Sequence, residues 1–290
     1  MRFVTSKDGT RIAFDQSSKG PAIILVVGAF NDRFTGAPLG HLLEPHFTVF
    51  NYDRRGRGNS GDTAPYAVER EIEDLEALIT EAGGSADVFG YSSGAVLALK
   101  AAAAGLAITK LALYEPPLIV DMSSGERDGG RSTARLSGAV SGQVVEVSNR
   151  PPSQENLAVQ LAKLIAADRR GDAVELFQTK GVGIPPEVVI QMRNAPFRPA
   201  LEKMAHTLVY EMTILGDKTL PTEFVASIAV PTLVMAGGDG PTFMQDAAEW
   251  LGNILPNGQH RILAGQTHDI NPDVMAPALA EFFTSRATVA

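Results

Sequence analysis

Residues 86–94 read Ala86-Asp87-Val88-Phe89-Gly90-Tyr91-Ser92-Ser93-Gly94. The apolar pair Val88-Phe89 runs into a Gly-x-Ser-x-Gly pattern, and Ala95–Ala104 follows as a stretch of strong helix formers. The order predicts a strand, a sharp turn and a helix, with Ser92 at the apex. Glycines on both sides remove Cβ atoms where such a turn pinches its neighbours, and a serine held there presents its hydroxyl as a nucleophile.

On the N-terminal side, Ala22-Ile23-Ile24-Leu25-Val26-Val27 is a continuous apolar run that stops at Gly28. Such a run fits a strand buried on both faces of a parallel sheet. Ahead of it, Phe3–Ser6 and Thr10–Asp15 flank an Asp8-Gly9 turn and read as a hairpin. A short helix is expected around Pro38–Leu43, then a strand over Phe47–Tyr52. Val68, Ile72, Leu75, Leu78 and Ile79 form a helical stripe within 67–82, closed by Gly83-Gly84.

Beyond the central stretch, Ile108–Tyr114 reads as a strand ending at Glu115-Pro116-Pro117. Residues 121–150 are polar and aperiodic and read as loop. Segments 155–169, 172–179, 186–194 and 201–215 each look helical, with no strand among them. The alternation resumes with a strand at Pro231–Ala236, a helix at Met244–Leu255 and a strand at His260–Ala264. A last helix is capped by Asn271 with Pro272 at its first position. Alternating strands and helices imply a doubly wound, mostly parallel sheet, in which ligands bind beyond the carboxyl ends of the strands. Gly28, Ser92, Glu115, Asp239 and His268 all fall just after expected strands.

Composition narrows the chemistry. The 290 residues carry a net charge of −8 with no basic run, which argues against nucleic acid and anionic membranes. There is no cysteine, so disulfides, thiolate metal sites and cysteine nucleophiles are excluded. No HExxH or clustered ligand set points to a metal, and no cofactor motif is present. The loop Asp53–Ser60 lacks the pattern of a phosphate loop, so its arginines and Asp53 are expected to form a structural network behind the site. The N-terminus has no apolar h-region and no run is long enough to span a bilayer, so a cytoplasmic location is expected.

A serine hydroxyl needs a base, and the base needs a partner to orient it. Of the five histidines, His268 is placed to serve, after the last strand and late in the chain. His41, His46 and His260 read as surface or structural, and His206 as a residue that could line a pocket. Two carboxylates are placed for the acid: Asp239, favoured in the loop after the strand at Pro231, and Glu115, at the end of the strand after the serine helix. Asp269 points elsewhere by geometry. The oxyanion donors expected are the backbone N–H of Ser93 and of Ala29, with Phe30 the neighbour that could replace it.

Taken with the loop Tyr52-Asp53-Arg54-Arg55-Gly56-Arg57-Gly58-Asn59-Ser60, Pro231-Thr232-Leu233-Val234 and Gly265-Gln266-Thr267-His268, the Gly90–Gly94 turn resembles that of the α/β-hydrolase fold family. The resemblance implies a mostly parallel α/β core over 1–120 and 223–290, with a helical cap inserted at 121–222. It also implies a Ser92–His268 pair with an acid. Two departures stand out. The usual His-Gly before the oxyanion loop is Val27-Gly28. The usual acid position, three residues after Gly237, is Gly240, with Asp239 one residue early; some relatives place the acid where Glu115 stands. The expected function is cleavage of a small hydrophobic ester, lactone or related acyl substrate through an acyl-enzyme. Cofactor-free C–C bond hydrolysis or a perhydrolase activity at the same site is the alternative, and a non-catalytic binding protein is another. The apolar cap positions Leu157, Leu161, Leu164, Ile165, Phe177, Met192, Phe197, Met204, Leu208 and Met212 are expected to form helix core, some of them facing the site.

Overall fold

The computed structural model describes residues 1–17, 19–120 and 156–285; the loop expected at 121–150 lies outside them. Eight strands form one sheet: β1 (Arg2–Thr5), β2 (Arg11–Ser17), β3 (Ala22–Val26), β4 (Thr48–Tyr52), β5 (Ala86–Tyr91), β6 (Ile108–Tyr114), β7 (Thr232–Gly237) and β8 (Gly258–Leu263). Their order is β1-β2-β4-β3-β5-β6-β7-β8. β2 pairs antiparallel with β1 and with β4, and every pairing from β4 to β8 is parallel.

Period-2 alternation sorts the strand side chains into two apolar layers. Ile24, Val26, Val88, Leu111, Leu113, Val234 and Ala236 face one layer. Ile23, Leu25, Phe89, Tyr91, Ala112, Tyr114, Leu233 and Met235 face the other. The first is covered by α2 (Val68–Glu81), α3 (Ser93–Ala103) and α10 (Thr242–Ile254), the second by α1 (Arg33–Leu43) and α11 (Pro272–Thr284). Burial on both faces explains why β3 and Leu233–Ala236 of β7 read as unbroken apolar runs.

The expected elements recur with small shifts. The largest is α1, which begins at Arg33 rather than near Pro38. The Asp32 carboxylate caps it by accepting the Phe34 N–H at 2.9 Å, and Pro38 is tolerated inside the helix. Between β6 and β7 the described residues hold α4 (Leu157–Ala166), α5 (Arg170–Leu176), a π-helical turn (Phe177–Val182), α6 (Pro186–Gln191), α7 (Arg198–Lys203), α8 (Leu208–Leu215) and α9 (Thr222–Ala226). Leu161, Ala173, Val174, Phe177, Ala205, Leu208 and Met212 make a small core of their own in this helical layer, against which Ala29 and Phe30 also pack.

Candidate functional site

Ser92 occupies the turn between β5 and α3 with φ 56° and ψ −126°, a conformation disfavoured for a residue with a Cβ. The flanking glycines are required by contact. A Cβ on Gly90 would sit 2.6 Å from Ala95 Cα, and one on Gly94 would sit 2.2 Å from the Val26 carbonyl oxygen. The turn is also tied into the sheet, because the Ser92 N–H donates to the Tyr114 carbonyl at 2.9 Å.

His268 follows β8 and reaches back to this turn. Its Nε2 lies 3.2 Å from Ser92 Oγ, and its Nδ1 lies 2.5 Å from Glu115 Oε2. Tyr91 packs against the imidazole at 5.1 Å between ring centroids, and the Tyr114 hydroxyl donates to the Thr267 carbonyl beside it. Glu115 is fully buried and has a left-handed backbone, φ 47°. Its second oxygen accepts the Gly237 N–H at 2.8 Å.

The carboxylate that meets His268 is therefore Glu115, and the favoured expectation, Asp239, is corrected on geometry. Asp239 is exposed in the turn after β7, where its backbone N–H donates to the Gln266 carbonyl at 2.9 Å. The space beside the histidine is already taken, since a Cβ on Gly240 would stand only 2.7 Å from Glu115 Oε1.

Ala29, Phe30 and Ser93 line the same cavity as Ser92. The backbone N–H groups of these three residues have no acceptor among the described residues. Phe30 adopts φ 59°, and the Ala29 carbonyl accepts from the Asn31 side chain at 2.6 Å, which turns that carbonyl toward its own loop.

Behind this loop lies the buried arginine network anticipated from 53–60. Arg54 forms a two-pronged pair with Glu71 at 2.7 and 2.8 Å and donates to the Val27 carbonyl at 3.2 Å. Arg57 donates to the Gly28 carbonyl at 2.7 Å. Both guanidiniums meet Glu211 of α8, which is fully buried. Burial and the neighbouring Arg54 push Arg57 down to about 9, which leaves it protonated at neutral pH. Asp53 accepts from Arg33 and from the Asn59 N–H, closing the network on the far side.

Over Ser92 opens a cavity of about 730 Å³. Its sheet side is made by Tyr91, Ser92, His268 and Asp269, and its helical side by Phe177, Gln178, Lys180–Ile184, Leu215 and Lys218. Of the apolar cap positions expected to face the site, only Phe177 lines this cavity. The methionine that lines it is Met244 of α10, not Met192, Met204 or Met212. Sequence reading missed Gln178, Lys180, Lys218 and Phe243. The glycines at 181 and 183 mark the bend that brings 177–184 over the site, a signal visible in the sequence. His206 is not in this wall; it lies 3.6 Å from Asp62 and against Tyr210, and burial lowers its pKa. His41 is exposed and pairs with Glu44. Among the described residues no group of three or more His, Asp or Glu could hold a metal, and no helix is long and apolar enough to cross a membrane.

A serine at a strained strand-to-helix turn, a histidine after the last strand and an eight-stranded mostly parallel sheet define the class, and the comparisons agree. Residues 23–281 match the alpha/beta hydrolase family, and the chain belongs to it. The chain is 50% identical to an alpha/beta hydrolase from Sphaerobacter thermophilus of known structure, with a TM-score of 0.82 over 98% of this chain and 100% of that one. The enol-lactonase from Burkholderia xenovorans shares the fold at 20% identity, with a TM-score of 0.63 over 98% and 100% of the two chains. An uncharacterized hydrolase of Bacillus subtilis, YraK, is 35% identical over 95 residues, which span 31% of this chain and 35% of that protein's length.

Proposed function

We propose that the protein is a serine hydrolase of small esters, lactones or related acyl compounds, with Ser92 as nucleophile, His268 as base and Glu115 as acid. The observation that carries this reading is the unbroken relay from Glu115 Oε2 to His268 Nδ1 and from Nε2 to Ser92 Oγ, set in the cavity between sheet and helical layer.

In this reading His268 takes the Ser92 proton as Oγ attacks the substrate carbonyl. Glu115 holds the imidazole in the tautomer that leaves Nε2 free to accept, and stabilises the imidazolium that forms. The negative charge on the carbonyl oxygen is met by the N–H of Ser93 and by that of Ala29 or Phe30, groups with no other acceptor among the described residues. The tetrahedral adduct collapses as His268 returns its proton to the leaving oxygen. Water then repeats the sequence on the acyl-serine and frees the acid. The helices at 157–215 serve as the cap over this reaction, and the division into a core of 1–120 and 223–290 with a cap of 121–222 is part of the proposal. No cofactor enters the scheme, and a small molecule is the partner it requires.

The test combines labelling with turnover. A fluorophosphonate should modify wild type and not Ser92→Ala, and a panel of p-nitrophenyl esters and lactones should be hydrolysed only by the unmodified protein. Lactones belong in the panel because a relative of the same fold is an enol-lactonase. Absence of both labelling and turnover overturns the proposal, as does labelling that persists in Ser92→Ala.

A further inference from the structure

The helical wall of the cavity carries two lysines, Lys180 and Lys218. Neither ammonium has a carboxylate partner among the described residues. Lys218 is half-buried, and its Nζ donates to the Gly181 carbonyl at 3.0 Å, one residue from Lys180. An ammonium has three N–H donors, so two remain for a ligand. The nearest acid in sequence, Asp217, is engaged elsewhere, accepting from the Thr219 N–H at 3.0 Å and hydroxyl at 2.6 Å. Burial lowers the Lys218 pKa.

The backbone at Lys218 gives a second observation. It adopts φ 67°, where glycine is at ease and a longer residue costs about 1–2 kcal/mol. The conformation is pinned on both sides: the Lys218 N–H donates to the Leu215 carbonyl at 2.8 Å, and its own carbonyl accepts the Ile119 N–H at 2.7 Å. A strained position that keeps a long cationic side chain and turns it into a cavity has a use for the charge. Beside it, Gln178 lines the same wall, is 4% exposed, and has an Oε1 with no hydrogen-bond partner. That oxygen only accepts, so it suits an N–H or O–H donor on the uncharged part of a ligand and takes no part in holding a carboxylate.

We infer that the cavity takes acyl substrates bearing a carboxylate, anchored by Lys218 with Lys180 adding to the local positive field, while the rest of the molecule lies on Phe30, Phe177 and Phe243. This rests on the hydrolase reading for its chemistry, but anion binding itself does not require turnover. An apolar pocket with one half-buried cation favours a monoacid ester over a neutral one, because the ammonium's incomplete solvation is restored only by the charged ligand.

The experiment compares a matched pair, the mono-p-nitrophenyl ester of glutaric acid and p-nitrophenyl valerate, on wild type, Lys218→Gln, Lys218→Arg and Lys180→Gln. Competition by free glutarate is measured alongside, with glutaramide as the neutral control. Wild type should favour the hemiester in kcat/KM. In Lys218→Gln the ratio of the two kcat/KM values, or the affinity for glutarate, should fall by about 10- to 100-fold, the range expected for losing a charge-assisted hydrogen bond. Lys218→Arg should retain most of it. Equal use of both esters with no glutarate competition overturns the anion site and leaves the hydrolase standing, as does a preference that Lys218→Gln does not move. Glutarate binding that depends on Lys218, without turnover of either ester, keeps the anion site and overturns the hydrolase. Should Lys218→Gln fail to fold, the wild-type ratio in rising salt decides, since an anion preference must narrow as screening increases.

Discussion

Glu115 Oε1 accepts the Gly237 N–H at 2.8 Å, so the end of β7 fixes a carboxylate that belongs to the end of β6. The other oxygen is thereby aimed at His268 Nδ1. With both oxygens committed and the side chain fully buried, the carboxylate has little freedom to turn away from the histidine.

The two carboxylates near the site should accordingly separate in a simple comparison. Glu115→Gln should lower kcat by about 10³–10⁴-fold, as removal of the acid does in a serine triad, because the amide favours the wrong imidazole tautomer. Asp239→Asn, at an exposed turn position, should stay within about twofold of wild type. Steady-state kinetics on the best ester found would decide, and the reverse order would move the acid back to Asp239.

The acid should also be transferable. Gly240 does not have a left-handed backbone, so a side chain there meets no conformational strain; it meets Glu115 instead. Gly240→Asp alone should therefore lose activity, on the order of 10²-fold for a displaced catalytic group. Combined with Glu115→Gly, which empties the contested space and suits the left-handed backbone at 115, it should recover at least about tenfold over Glu115→Gly alone. A double variant no better than the single one would show that position 240 cannot reach His268.

Glu211 should matter to stability and activity together. It is the shared anion of Arg54 and Arg57, and those two residues hold the Val27 and Gly28 carbonyls at the base of the loop beside Ser92. Glu211→Ala leaves two buried guanidiniums short of a partner and should cost about 3–5 kcal/mol in urea unfolding. A loss under about 1 kcal/mol would mean that water or a neighbouring group replaces the pairing.

Asp87 should make stability depend on pH. It is buried at the start of β5, and burial raises its pKa to about 6, with Lys110 only partly offsetting this. The folded state thus keeps the proton that the unfolded chain releases near pH 4. Stability should fall as pH rises from about 4 to 6 and then stay lower, by on the order of 2–3 kcal/mol. Asp87→Asn should raise the melting temperature at pH 7.5 and leave it unchanged near pH 4. Equal shifts at both pH values would assign the effect to packing instead.

The fold was legible because its signals are local. Unbroken apolar runs such as Ala22–Val27 report burial on both faces, and Gly90 and Gly94 report a turn that tolerates no Cβ. Ser92 and His268 could be placed because each follows a strand. The choice between Asp239 and Glu115 was not legible, since it depends on which carboxylate fills a volume shared by two strand ends, and that is a tertiary fact. The cavity wall was hidden for a similar reason. Its residues come from a π-helical turn and from the bend at Lys218, irregular backbone that leaves no periodic trace, whereas the apolar stripe that was visible mostly packs inside the helical layer. Strain offers a partial substitute. Among the described residues five non-glycines adopt positive φ, and four of them, Phe30, Ser92, Glu115 and Lys218, line the cavity or touch the histidine that does.

The close approach between Gly240 and Glu115 also says how the histidine can be reached from outside. A side chain at position 240 would press on Glu115 Oε1, the oxygen that accepts the Gly237 N–H, while the other oxygen of the same carboxylate faces His268 Nδ1. A change at 240 would therefore be felt at the imidazole without touching it, with the carboxylate as the lever between them.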